Sequence, residues 1–170
     1  MIDADVVSHF IQAGEILHLP KIFPLKIFIL DKVMKELERF PNRKKEVDNL
    51  INLRLLHPMD FPEKDHIILK EYLWIKKQMF YGDGESACLA VAKHSKNIIA
   101  SNNLRDIKSY CERHDMVYLT TMHFLCYALQ NGNFDEERCN NFITTVKANK
   151  GRLPVNKMSD YQCPTEWVLT

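Results

Sequence analysis

The sequence predicts an α/β fold in which helices flank a central, mostly parallel sheet of five strands. Five short apolar segments are bounded by polar or turn residues, and they lie at 1–2, 26–30, 55–59, 97–100 and 117–120. Longer segments of helical period separate them, and this alternation is typical of βαβ units. The 170 residues suffice for one domain of ordinary size, so we expect a single domain over 1–170.

The helical segments are recognised by apolar residues that recur every three or four positions. They lie at 6–16, 32–40, 43–52, 63–79, 85–95, 104–114, 121–131 and 135–149. Gly132 follows the seventh segment, where a helix-ending glycine is favoured. We expect the core of the domain over 1–132 and a C-terminal helix and tail over 133–170, with weak periodicity from Gly151 onward.

Composition and charge restrict the class of protein. With 46% hydrophobic and 26% charged residues, the chain has the composition of a soluble globular protein. Its formal net charge of +1 means that a polyanionic partner must be attracted by a local basic patch. Apolar runs such as Ala87 to Ala92 are far shorter than the ~20 residues that span a bilayer, and acids stand near the N-terminus. We therefore expect a cytoplasmic protein with no membrane segment.

The five cysteines are expected to be reduced. They are odd in number and include no C-x-x-C pair, which fits neither a disulfide framework nor a zinc site. Cys88 and Cys126 are expected to pack as small apolar residues.

Acidic and polar residues recur at one end of the predicted strands. In an open parallel sheet, ligands bind outside the carboxyl ends of the strands, so these residues form a candidate site. The acids are Asp3 and Asp5 after the first strand, Glu36 after the second, Glu85 at the start of the helix before the fourth, and Asp106 after the fourth. Ser101 and Asn103 accompany Asp106.

Each of these acids also has a purely structural interpretation. Glu85 lies on a helix that is apolar nearly all round, where a buried carboxylate requires a partner such as a cation. A first-turn Glu facing solvent is the alternative. Asp3 or Asp5 suits the N-cap of the first helix. Asp106 would complete a capping box with Asn103.

Several segments in order resemble the PIN-domain family of metal-dependent ribonucleases. IDADVVSHF resembles its D-x-N-V-L segment, with Asp5 in place of Asn, and ILDKVMKELERF resembles the second segment through Glu36. GDGESACLAVA resembles G-E-x-x-A-x-x-x-A, and IIASNNLRDI resembles T-x-N-x-x-D-F with Ser101 in place of Thr. MVYLTTMHFLCYALQNG resembles the fifth strand and final helix, so the resemblance covers 1–132.

The resemblance implies a PIN-like three-layer fold and an endoribonuclease that depends on Mg²⁺ or Mn²⁺, with the toxin of a toxin–antitoxin pair as one form. Asp3, Glu85 and Asp106 would hold metal. Glu36 would bind metal through water or help to position the nucleophilic water. Asp5, Ser101 and Asn103 would support them. Oxygen ligands alone suit a hard ion better than zinc.

The partners that the resemblance implies are RNA, a small antitoxin protein and a second copy of the chain. The basic residues placed to bind nucleic acid are Lys32, Lys35, Arg39 and Arg105, with Arg43 to Lys45 beyond them. For each one, a solvated helix face is the alternative. The aromatic residues Phe10, Phe40, Trp74 and Tyr110 are expected in the core rather than as base-stacking platforms.

Two other classes of protein stay open. A receiver-type phosphoacceptor also gathers acids above a parallel sheet, and Asp60 would be its acceptor. It requires a Lys after the fifth strand, where this chain has Thr120 and Thr121. The second class is a PIN-like module that binds its partner without catalysis.

Overall fold

The computed structural model describes residues 1–79 and 82–169, and this part of the chain is mostly helical. The helices are α1 (Ala4–Gln12), α2 (Leu19–Ile22), α3 (Asp31–Leu37), α4 (Pro41–Asn52), α5 (His66–Met79), α6 (Asp83–Ser95), α7 (Leu104–Arg113), α8 (Thr121–Gln130) and α9 (Glu136–Ala148). Each predicted helix has a counterpart, and α2 was not predicted. A 3₁₀ turn at Met158–Asp160 lies in the tail.

The predicted central sheet of five strands is wrong. The described residues contain two small parallel sheets of two strands each, which pair β1 (Phe28–Leu30) with β2 (His57–Met59) and β3 (Ile99–Ala100) with β4 (Tyr118–Leu119). Phe28 is in register with His57, and Ile99 with Tyr118. The fold is therefore not the three-layer α/β architecture that the resemblance implied.

The strands are shorter than predicted because some residues that the sequence assigned to strands form turns at the ends of helices instead. Leu55 and Leu56 donate their N–H groups to the Leu50 carbonyl at the end of α4. Pro58 lies at the centre of β2 and has no N–H with which to extend a ladder. Asn97 donates to the Ala92 carbonyl beyond the left-handed residue Lys96 that ends α6.

The N-terminal segment lies between the two sheets. The Ile2 N–H donates to the Phe28 carbonyl at 2.9 Å, and the Asp3 N–H donates to the Ala100 carbonyl at 2.9 Å. Ala100 in turn donates to the Met1 carbonyl at 2.8 Å, so that Ile2 and Ala100 form a parallel bridge. These bonds fix Asp3 next to the carboxyl end of β3.

Helix α9 packs on the same apolar core as α1 and α8. The Phe10 ring lies 4.9 Å from the Phe142 ring and 5.7 Å from the Phe124 ring, measured between centroids, in edge-to-face geometry. Phe142, Ile143 and Val146 are buried. The C-terminal helix is thus held by aromatic and aliphatic contacts of the kind that stabilise protein cores.

The expectation that all the cysteines are reduced is wrong. Cys126 on α8 forms a disulfide with Cys163 in the tail, whereas Cys88, Cys111 and Cys139 are free and buried. The sequence offered no C-x-x-C spacing because the two partners stand 37 residues apart. Cys88 packs in the core as predicted, and Cys126 is buried as half of a cross-link.

The cross-linked tail continues over α8. The Trp167 indole N–H donates to Gln130 Oε1 at 2.8 Å, and Gln130 Nε2 donates to the Pro164 carbonyl at 2.8 Å. The Trp167 ring lies against Phe23 and Tyr127. Among the described residues, no helix combines the length and the apolar character that crossing a membrane requires.

Replacing Cys163 with Ser should lower the free energy of unfolding by about 2 to 4 kcal/mol, because the disulfide restricts the unfolded chain. Urea unfolding without reductant measures this difference. Dithiothreitol should bring the wild-type protein down to the stability of the Cys163→Ser variant. Equal stability of the two proteins without reductant would contradict the cross-link.

Candidate active site

Five carboxylates lie near the carboxyl ends of β1, β3 and the N-terminal segment. Asp3 precedes α1 and Asp5 lies in its first turn. Glu36 is on α3, Glu85 is in the first turn of α6, and Asp106 is in the first turn of α7. Their negative charges act on one another, since Asp5, Glu85 and Glu36 all raise the pKa of Asp3. The starts of α1, α6 and α7 and the last turn of α3, rather than a wide sheet, bring them together.

Glu85 is buried and bound by two polar side chains. Its side chain accepts a hydrogen bond from Ser101 Oγ at 3.3 Å and one from Asn103 Nδ2 at 3.1 Å. Burial, assisted by the charges of Asp5 and Asp106, raises its pKa to about 7 against the effect of these two bonds. The interpretation of Glu85 as a solvent-facing first-turn residue is therefore wrong, because only 6% of the residue is exposed.

Asn103 joins Glu85 to Asp106. Its Nδ2 donates to Asp106 Oδ2 at 2.7 Å as well as to Glu85. Asn103 occupies the N-cap position of α7, yet its side chain makes no capping bond to the helix backbone. The capping-box interpretation of Asn103 and Asp106 is thus wrong, and the amide acts between carboxylates instead.

Asp3 is the least satisfied of the acids. It is 7% exposed, and within the described residues its buried Oδ1 has no hydrogen-bond partner. Asp3 stands at the N-cap position of α1 without a side-chain capping bond. Burial, followed by the charge of Asp5 and then that of Glu85, raises the pKa of Asp3 well above its ordinary value.

Asp5 is bound to the loop after β3. Its Oδ2 accepts a hydrogen bond from the Asn102 N–H at 2.8 Å, and its Oδ1 accepts one from the Val6 N–H at 2.6 Å. Burial raises the pKa of Asp5 to about 6 even though these backbone bonds favour its ionised form. Asp5 therefore connects α1 to the segment that carries Ser101 and Asn103.

Glu36 is fixed at the N-terminus of α6. Its Oε1 accepts a hydrogen bond from the Gly84 N–H at 2.7 Å, where the helix dipole favours negative charge. A Cβ at Gly84 would lie 3.0 Å from Glu36 Cδ, and one at Gly82 would lie 3.3 Å from Oε1. The glycines before Glu85 thus leave space for a second carboxylate, which gives the GDGE sequence a physical role.

Sequence reasoning missed a buried polar network that holds the loop after β3. Asn102 Nδ2 donates to Thr121 Oγ1 at 2.9 Å, and the Thr121 N–H donates to Asn102 Oδ1 at 2.8 Å. His9 Nδ1 lies 3.0 Å from Thr121 Oγ1, and burial lowers the pKa of His9 to about 4. No motif signals this network, because its members stand on α1, the β3–α7 loop and α8.

A groove of about 1360 Å³ opens beside the acids and carries the predicted basic residues. Lys32, Lys35, Arg39 and Arg105 all line it, together with Arg43. Lys32 differs from the others because its amine lies over the Phe61 and Tyr72 rings and pairs with Glu63. Lys35, Arg39 and Arg105 are exposed.

The prediction that four aromatic residues lie in the core is right for two of them. Phe10 and Tyr110 are buried. Phe40 is 49% exposed and Trp74 is 42% exposed. Phe40 lines the groove, with the Arg43 guanidinium 4.6 Å from its ring centroid. An exposed aromatic face therefore lies among the basic residues.

The chemistry of the acids fits a hard divalent cation. They supply carboxylate oxygens alone, as Mg²⁺ and Mn²⁺ prefer, and the buried Asp3 Oδ1 lacks a hydrogen-bond donor among the described residues. In the present side-chain arrangement of 1–79 and 82–169, no group of three His, Cys, Asp or Glu residues is placed to hold a metal ion. Asn103 and Ser101 bind the carboxylate of Glu85 instead.

Comparison with known proteins adds no relative. No family model matches the chain, and searches of curated proteins and of solved structures return no significant match.

The raised pKa of Glu85 predicts a pH-dependent stability difference between the wild-type protein and a Glu85→Gln variant. Folded Glu85 keeps its proton up to about pH 7, whereas the unfolded side chain loses it near its ordinary pKa of 4.5. Stability falls with rising pH wherever the folded state binds more protons. The wild-type free energy of unfolding, relative to that of Glu85→Gln, should therefore decrease from pH 5 to pH 8.

Urea unfolding in EDTA at both pH values measures this difference, and the comparison cancels the shared contributions of the histidines. Glu137→Gln, an exposed change on α9, is the matched control and should show no trend with pH. A wild-type advantage over Glu85→Gln that grew with pH would contradict the assignment.

Proposed function

We propose that the chain is an endoribonuclease that depends on Mg²⁺ or Mn²⁺ and hydrolyses phosphodiester bonds of RNA. The observation that carries the proposal is a cluster of buried and half-buried carboxylates that repel one another beside a groove lined with cations. These acids are the residues that resemble PIN-domain motifs, so the resemblance supports the activity even though the sheet differs.

Burial makes the cluster costly without a cation. Carboxylates that share a small volume either repel one another or take up protons, and a divalent ion removes both effects. Asp3, Glu85 and Asp106 would hold the ion, with Glu36 as a fourth acid. A Mg²⁺ or Mn²⁺ ion bound there favours ionisation of water and neutralises charge that develops on the phosphodiester.

The remaining side chains orient the acids. Ser101 and Asn103 donate to Glu85, and the Gly84 N–H donates to Glu36. Asp5 accepts a hydrogen bond from the Asn102 N–H and so holds the loop after β3 against α1. Glu36 is half-buried and lines the groove, and in this proposal it helps to position the attacking water. Orientation of this kind keeps the reacting groups aligned for in-line attack.

The basic groove supports RNA as the substrate. Lys35, Arg39 and Arg105 extend from exposed positions beside the acids, where they can contact phosphates. The toxin of a toxin–antitoxin pair is the specific form of ribonuclease that the resemblance favours, with a small antitoxin protein as partner. The same proposal includes a second copy of the chain as a partner, in a homodimer.

We place this activity in the cytoplasm, where RNA substrates are present. The Cys126–Cys163 disulfide is the feature that argues for an oxidising compartment, since such bonds are rare in reducing ones. In the cytoplasm both cysteines would stand as thiols, and the tail would then be held by non-covalent contacts such as the Gln130–Pro164 and Trp167–Gln130 hydrogen bonds.

A module that binds RNA without cutting it is the second candidate function. It is favoured by the observation that, among the described residues, no three potential ligands are arranged to hold a metal ion. Such a module would keep the cation-lined groove and would not require an ion at Asp3.

The proposal predicts metal-dependent cleavage. With Mn²⁺ or Mg²⁺ the purified protein should cut single-stranded RNA internally, and EDTA should stop the reaction. Asp3→Asn should lower the cleavage rate by on the order of 100-fold or more, because it removes a charged ligand that acts in the transition state. Cleavage of a labelled RNA, resolved on a denaturing gel, measures both effects.

Asp115→Asn is the matched control, since Asp115 is exposed and lies in a left-handed conformation that Asn adopts readily. It should cleave at the wild-type rate. Equal cleavage in EDTA, or by Asp3→Asn, would show that the nuclease is a contaminant or uses another site. RNA binding without cleavage at any metal concentration would favour the binding module.

A further inference from the structure

The segment after α9 lies against the end of α1. Asn149, Lys150 and Gly151 turn back toward α9 through hydrogen bonds to the Thr145, Lys147 and Val146 carbonyls. Gln12 at the end of α1 directs its Nε2 toward the Asn149 carbonyl at 3.4 Å. The segment 149–152 is therefore attached to the helix that carries Asp5.

Gly151 permits this close approach. A Cβ at position 151 would lie 2.7 Å from Gln12 Oε1 and 2.9 Å from the Val146 carbonyl oxygen. Leu153, two residues further on, is buried in the core. Arg152 is thus held between two anchored residues, while its own side chain is exposed.

The segment and the acids line the same groove. Asp5, His9 and Gln12 stand at four- and three-residue intervals on α1, and all three line it. Lys150 and Arg152 line its far end, beside Gln12. Gln12 is seven positions after Asp5, which is about 10 Å along the helix axis, or about three nucleotides of a stacked strand.

Several cations elsewhere on the surface are paired with a neighbouring carboxylate. Arg138 pairs with Glu15, Lys93 with Glu71 and Lys44 with Asp48. Lys150 and Arg152 form no ion pair with any carboxylate in the described part of the chain. Their charge is free to attract a polyanion, on a protein whose net charge is only +1.

The exposed Phe40 ring also lines the groove, with Arg43 stacked over it. Arg43 Nη1 also donates to Ser8 Oγ at 3.1 Å, which fixes the guanidinium on the α1 side of the groove. Aromatic faces beside cations are the elements on which single-stranded bases and phosphates bind.

We propose that the segment 149–152 forms a second, phosphate-binding wall of the groove, where Lys150 and Arg152 contact the backbone of a single-stranded RNA that passes over the acids. The assignment rests on the proposed function for the identity of the ligand. It gives a role to the part of the chain beyond residue 132, to which the resemblance assigned none.

The test is RNA binding by a protein that cannot cleave. In an Asp3→Asn background with Mg²⁺, fluorescence anisotropy measures the Kd of a labelled 12-nucleotide single-stranded RNA over a range of salt concentrations. Adding Lys150→Ala and Arg152→Ala should weaken binding and lower the salt slope by about 1.4, at about 0.7 for each lost contact with a single strand.

Lys70→Ala with Lys77→Ala removes the same charge from exposed positions on α5, outside the groove, and serves as the control. The control pair should leave the slope unchanged. A dinucleotide, shorter than the about 10 Å between Asp5 and Gln12, should lose less affinity than the 12-nucleotide RNA when Lys150 and Arg152 are replaced.

Three results would overturn the assignment. The first is an equal loss of RNA affinity in the two double variants. The second is the absence of RNA binding by the Asp3→Asn protein. The third is an equal loss of affinity for duplex DNA of the same length when Lys150 and Arg152 are replaced, which would indicate a general polyanion surface. The proposed function is tested separately, by measuring RNA cleavage with the wild-type protein. If the protein bound RNA through Lys150 and Arg152 without cutting it, the phosphate-binding wall would be supported and the nuclease activity would be contradicted.

Discussion

Electrostatic repulsion among buried carboxylates is the constraint on which the rest of the site depends. The charges of Asp5 and Glu85 raise the pKa of Asp3, the charge of Asp5 raises that of Glu85, and desolvation acts in the same direction. A chain selected for stability alone would place apolar residues here, since unpaired buried charge is costly. Keeping these acids is consistent with a cation that completes them.

The protein limits this cost with neutral donors rather than with cations. Ser101 and Asn103 donate to Glu85, and the Gly84 N–H donates to Glu36, yet no Lys or Arg of the described residues pairs with these two acids. Neutral donors orient a carboxylate and leave its charge available to an ion. The cations Lys35, Arg39 and Arg105 line the same groove without forming an ion pair with these two acids.

Short strands are sufficient to position the site. The N-terminal segment bonds to both β1 and β3 through Ile2 and Asp3, so the acid at position 3 is fixed by main-chain bonds on either side. Helices α3, α7 and α8 begin within a few residues of the strands β1, β3 and β4. This arrangement brings helix N-termini to one end of the molecule without a wide sheet.

Local patterns in the sequence predicted the helices and the residues at their starts, because period and composition are local properties. The width of the sheet was not predictable, because residues of β-forming composition lie in turns instead of strands. These turns are closed by the Leu55–Leu50 and Asn97–Ala92 hydrogen bonds. The sequence left the capping box open as an alternative for Asn103 and Asp106, because a capping box and a carboxylate bridge use the same spacing. The Cys126–Cys163 bond and the His9–Asn102–Thr121 network join residues distant in sequence, which periodicity does not reveal.

Proton release on metal binding tests the central claim most directly. Calorimetric titration of Mn²⁺ at pH 7, in two buffers of different ionisation enthalpy, gives the number of protons displaced. Because burial and repulsion raise the pKa values of Asp3 and Glu85, we expect Mn²⁺ to bind with net proton release and Asp3→Asn to weaken that binding. Absence of Mn²⁺ binding, or binding without proton release that Asp3→Asn leaves unchanged, would contradict the account.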